Sequence, residues 1–66
     1  MSLIVFKDVD GNPVALGANS IVKVSYSNNT LSEITYRIGD DVYLVSVAHP
    51  VMEVVDAVNK VSGGWL

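Results

Sequence analysis

The chain has 66 residues, of which 50% are hydrophobic and 17% charged, with a formal net charge of −3 and a pI near 4.6. That composition describes one globular domain and excludes both a disordered chain and a second domain. Four basic residues are too few to hold nucleic acid by bulk charge, and with no cysteine there is neither a disulfide nor a thiolate metal cage.

The predicted elements are five strands followed by one helix. The first strand is residues 3–9, LIVFKDV, rich in β-branched and aromatic side chains. It runs into Asp10-Gly11, a strong signal for a two-residue hairpin loop. That loop sets Val5 opposite Leu16 and Lys7 opposite Val14, with Ile4 and Phe6 on the other side. Both sides of the hairpin then carry apolar groups, so one side meets the core and the other needs a cover, from the helix or a second subunit.

Residues 20–27, SIVKVSYS, alternate, with Val22, Val24 and Tyr26 on one face and Lys23 and Ser25 on the other. The turn that follows, Asn28-Asn29-Thr30, fixes the next register. A three-residue loop sets Val24 opposite Ile34 and Val22 opposite Tyr36, whereas a two-residue loop would set Val24 against Glu33. A slip of one residue exchanges the faces of a strand, so the apolar match selects the longer loop. An asparagine in the left-handed conformation would complete it. Residues 33–38 and 41–47 flank Gly39-Asp40, and glycine in the first loop position suits a type II′ turn. Tyr36 then faces Tyr43 and Ile34 faces Val45. Thr35, Arg37, Val42, Leu44 and Ser46 share the opposite face.

The helix is predicted over about 50–61. Pro50 takes the first helical position, and Val51, Val54, Val55, Val58 and Val61 form one stripe. Valine is a weak helix former, so packing must hold this helix. Gly63 and Gly64 end it, leaving a tail over 62–66 in which Trp65 and Leu66 dock on a neighbouring subunit or on the domain's own end. The whole reads as a single domain over 1–66. It is mainly β, a strongly bent five-stranded antiparallel sheet or small open barrel, with one C-terminal helix.

Candidate sites have plain structural explanations. His49 is the sole histidine, without a nucleophile arranged beside it, and reads as a structural or capping residue. Asp8, Asp10 and Asn12 imitate the start of a calcium loop. That loop requires glycine at its sixth position and glutamate at its twelfth, where Pro13 and Asn19 stand. Asn28 matches a glycosylation acceptor, but the turn explains it. Asp40 and Asp41 are adjacent and point to opposite faces, which suits poorly a carboxylate pair. Tyr26, Tyr36 and Tyr43 fall on one apolar face and are expected in the core. No cofactor, metal or nucleophile pattern is present, so the expectation is a protein that is not an enzyme.

Two resemblances follow from particular residues. YRIGDDVYLVSV, residues 36–47, resembles the second motif of Sm and Sm-like proteins, in which an apolar strand ends in Arg-Gly before Asp or Asn and a further apolar strand. GANSIVKV, residues 17–24, resembles the end of the first motif. Here Ile38 stands between Arg37 and Gly39, and the helix follows the strands instead of preceding them. The resemblance implies an Sm-like or SH3-like barrel whose subunits join edge to edge through strands four and five into a ring. It also implies that Asn19, Arg37 and Gly39 face RNA. Over nearly the whole chain the plan is similar to small flagellar FlbD-type proteins and short cyanophage proteins, which implies a small β-barrel with a C-terminal helix.

A domain this small buries little core, and without disulfides or metal self-association is the usual remedy. The expected interface is Ile4, Phe6, Val42, Leu44, Trp65 and Leu66. The functional expectation is a homo-oligomeric Sm-like module, of phage origin by resemblance, that binds RNA or single-stranded DNA. The alternative is a structural or adaptor protein acting on another protein. No membrane partner is expected, since no apolar run of about 18 residues and no signal-peptide pattern occur. The expected location is the cytoplasm, that of the host for a phage protein.

Overall fold

A computed structural model describes residues 2–62 of the chain. β1 (Leu3–Lys7) and β2 (Pro13–Gly17) form one antiparallel hairpin, and a 3₁₀ turn at Ala18–Ser20 leads into a second sheet. That sheet is an antiparallel meander of β3 (Ile21–Tyr26), β4 (Ser32–Ile38) and β5 (Asp41–Val47). Helix α1 (Val51–Ser62) follows. The mainly β architecture with a C-terminal helix is therefore the one the sequence predicts. The five strands form two sheets that are not closed. They meet at one corner, through an Asp8–Val47 bridge and a 2.7 Å bond from the Ala48 N–H to the Lys7 carbonyl.

The β1–β2 register differs from expectation by one residue. Ile4 faces Leu16, Val5 faces Ala15 and Phe6 faces Val14. Asp8 is the cause. Its Oδ1 accepts the N–H groups of Asp10 and Asn12, each at 2.9 Å, while its carbonyl accepts from Gly11 and its own N–H donates to Asn12. This makes a three-residue loop of Val9, Asp10 and Gly11, with Gly11 at φ +84° supplying the left-handed residue that closes it. Ile4, Phe6 and Leu16 consequently share one buried face, and Leu3 and Val5 lie exposed on the other.

β3 pairs with β4 with Val24 opposite Ile34, as the three-residue loop predicts. A register shift between Ile21 and Lys23 sets Ile21, not Val22, opposite Tyr36; Ile21 is buried and Val22 exposed. The loop reaches its shape without a left-handed asparagine. Instead the Asn28 Oδ1 accepts from the Thr30 N–H, the Leu31 N–H and the Thr30 hydroxyl. Between β4 and β5 the expected register holds, with Tyr36 opposite Tyr43 and Gly39 at φ +63° in the turn.

The helix begins at Val51, one residue after Pro50, whose carbonyl accepts the N–H groups of Glu53 and Val54. Val54 and Val58 are fully buried against Ile4, Phe6, Leu16, Ala18, Ile21, Ile34 and Val47. At roughly 1.5–3 kcal/mol for each large apolar side chain buried, this stripe outweighs the weak helix propensity of valine.

Candidate interaction site

β4 is the central strand of the meander, bonded on one side to β3 and on the other to β5. Over Ser32–Tyr36 both of its edges are paired within the chain. Among the described residues the open edges belong to β1, β2, β3 and β5, apart from the Asp8–Val47 bridge that joins β1 to the end of β5. Ile4 and Phe6 are likewise removed from the expected interface. They are 7% and 3% exposed, in the chain's own core under α1, because the Asp8 loop turns that face inward. Trp65 and Leu66 lie outside the described residues.

Val42 and Leu44 do lie on the surface, 60% and 61% exposed. The backbone geometry adds to this. Ile38 and Asp41 flank a two-residue turn, so Asp41, Tyr43, Val45 and Val47 bond to β4. Val42 and Leu44 therefore direct their N–H and C=O groups outward, and Ser46 does so where β1 reaches the same edge through the Asp8–Val47 bridge and the bond from the Ala48 N–H to Lys7. The segment 42–46, Val-Tyr-Leu-Val-Ser, has no charged residue, proline or glycine. Protected edges contrast with it: β2 begins with Pro13, and β3 carries Lys23 beside its bulge.

Arg37 is exposed on the outer face of the meander, and Lys23 occupies the same face opposite Thr35. Asn19 sits exposed in the 3₁₀ turn. Ile21 pairs with Tyr36, so that turn and Gly39 occupy the same end of the sheet. Asp40 and Asp41 are exposed at that turn. Tyr36 is half-buried and stacks on Tyr43 with ring centroids 5.5 Å apart. Tyr43, 42% exposed, departs from the expected core position, and Tyr26 departs further. It is 69% exposed at the open end of β3, with its hydroxyl donating to the Asn29 Oδ1.

His49 ties the corner where the two sheets and the helix meet. Its Nε2 accepts the Lys7 N–H at 3.0 Å, which leaves the ring proton on Nδ1, facing the Glu53 carboxylate. Its ring meets Phe6 edge-on at 5.8 Å, and its carbonyl accepts the buried Ser32 hydroxyl at 2.6 Å. Through these contacts His49 joins β1, β4 and the first turn of α1. Among the described residues no group of three potential metal ligands occurs, and no helix is long and apolar enough to cross a membrane.

Sequence reasoning passed over Ser46, whose part in the edge depends on strand phase, and the pairing of His49 with a backbone N–H, which leaves no mark in residue spacing. Comparison of the chain with protein-family models, curated proteins and solved structures finds no match in any of the three.

Proposed function

We propose that this chain is a non-enzymatic assembly module that joins a second copy of itself through the open edge of β5 and acts through protein–protein contacts. The observation that carries this reading is the uncharged edge at 42–46, with Val42 and Leu44 exposed beside outward backbone groups. Long apolar edge strands template further pairing, and this one lacks the lysine, proline or bulge that blocks it. The segment is also self-complementary. An antiparallel pairing centred on Leu44 sets Val42 opposite Ser46 and Tyr43 opposite Val45, with no like charges opposed. Such pairing has two-fold symmetry and closes as a dimer. The setting in this reading is the cytoplasm.

The test is hydrogen exchange of single amides. The N–H groups of Val42, Leu44 and Ser46 become protected as protein concentration rises, while those of Tyr43 and Val45 are protected throughout. Exchange at 42, 44 and 46 that stays fast at every concentration rules the reading out.

A second reading, RNA or single-stranded DNA binding of the Sm-like kind, draws on Arg37 and Lys23 sharing one exposed face. Fluorescence anisotropy at low salt with oligo-U, oligo-A and single-stranded DNA decides it. Binding lost in Arg37→Ala supports this reading, and no binding by the parent chain removes it.

A further inference from the structure

His49 is the sole histidine of the chain, and its one ring joins two elements through opposite nitrogens. Nε2 accepts the Lys7 N–H of β1 at 3.0 Å, while the Nδ1 proton faces the Glu53 carboxylate of α1. Only a neutral ring can hold both partners. An imidazolium carries a proton on each nitrogen and has no acceptor. A proton on Nε2 would set one N–H against another across the gap that the bond now spans. The His49 side chain is 24% exposed, so protons from solvent reach it.

The groups around the ring decide which tie yields. From α1 the charged group is the Glu53 carboxylate, and a hydrogen bond to a carboxylate strengthens when its donor becomes a cation. From β1 come the Phe6 ring, edge-on at 5.8 Å, and the Lys7 backbone N–H. The Lys7 side chain is exposed, and the Asp8 carboxylate accepts from Asp10 and Asn12 within its own loop. β4 contributes the Ser32 hydroxyl, which bonds to the His49 carbonyl and not to the ring. Of these groups Glu53 gains from a charged imidazole, and the Lys7 N–H loses its acceptor.

We infer that His49 is an acid-operated latch between β1 and α1. Neutral, the ring ties the two elements; protonated, it stays with Glu53, releases the Lys7 N–H and uncovers Phe6. The groove of about 140 Å³ along this seam, lined by Val5, Phe6, His49, Glu53 and Ala57, widens at that point. The Asp8–Val47 bridge and the bond from the Ala48 N–H to the Lys7 carbonyl are backbone contacts that protonation does not touch. Release is therefore confined to the seam. It takes place within one copy and is independent of pairing through β5.

Hydrogen exchange of single amides in the full chain, corrected for the intrinsic rate at each pH, reads the latch. The range is about pH 7.5 to 5, where an ordinary histidine changes charge. The Lys7 N–H loses about tenfold or more of its protection toward the acid end, while the Ala48 N–H keeps its own. The loss follows the titration of the His49 Cε1–H signal, which no second imidazole obscures. His49→Gln, whose amide does not titrate, holds the Lys7 protection constant with pH. Protection at Lys7 that does not change with pH in the parent overturns the inference without any variant. A loss shared equally by Ala48 overturns it, because the corner then opens as a whole. A loss that departs from the His49 titration curve, or that persists in His49→Gln, also overturns it, since another group then drives the release.

Discussion

Replacing His49 by alanine tests how the corner is held. Three contacts are lost together. The Lys7 N–H loses its acceptor at Nε2, Phe6 loses the edge-on ring, and Glu53 loses the Nδ1 proton. An intramolecular hydrogen bond of this kind contributes about 1 kcal/mol, and an edge-on aromatic contact about 1 kcal/mol. The His49–Glu53 pair adds little, since Glu53 is mostly exposed and such pairs contribute about 0.5 kcal/mol or less. The sum is about 2 kcal/mol, which in a domain of this size lowers Tm by about 8–16 °C. Urea titration followed by circular dichroism measures it, with Glu53→Ala and His49→Phe alongside. Glu53→Ala costs a quarter of the His49→Ala loss or less. His49→Phe keeps a ring against Phe6 without the acceptor and recovers about half. A His49→Ala midpoint equal to that of the parent, or a larger loss in Glu53→Ala, would refute the assignment of Nε2 as the acceptor that joins β1 to the helix.

Ser32→Ala, at a fully buried side chain, removes the donor to the part-buried His49 carbonyl and costs about 1–2 kcal/mol by thermal unfolding. Ser32→Val fares no better, because the carbonyl stays unpaired. Gly39→Ala meets no neighbouring atom, yet it must hold φ near +63°; chemical denaturation is expected to show a loss of about 1–2 kcal/mol. Asp8→Ala removes one acceptor serving two N–H groups and lowers stability by about 1–2 kcal/mol in the same assay, whereas Asp8→Asn retains most of it.

The sequence makes some of this fold plain and hides the rest for identifiable reasons. The β4–β5 pairing is legible because Gly39 fixes a two-residue loop and the apolar match of Ile34 with Val45 agrees with it. Local signal and long-range pairing coincide there. At the first hairpin they do not. Asp10-Gly11 carries the strongest local signal, but the Asp8 carboxylate sets the loop, and its capture of two N–H groups moves every partner by one residue. Ile4 and Phe6 are placed inside by that shift.

The β3 irregularity was equally hidden. Ile21 and Val22 are neighbouring aliphatic residues, so either suits the core, and the packing of α1 and the 3₁₀ turn above the sheet selects Ile21. Tyr26 keeps the face that alternation assigns it, but the strand ends beyond the cover of the helix. At the candidate site, Val42 and Leu44 are legible from period-two alternation alone. Which side of β5 lacks a partner is a property of sheet order, and sheet order depends on contacts between residues far apart in the chain.

The central claim is self-association through β5, and the solution mass tests it most directly. Light scattering over a concentration series compares the parent chain with Leu44→Lys, a change on an exposed side chain of the outer face. The account predicts that the parent approaches twice its 7.1 kDa mass as concentration rises, while Leu44→Lys stays at 7.1 kDa with unchanged circular dichroism. A parent chain that remains at the mass of one copy throughout, or a Leu44→Lys variant that pairs as well as the parent, would contradict it.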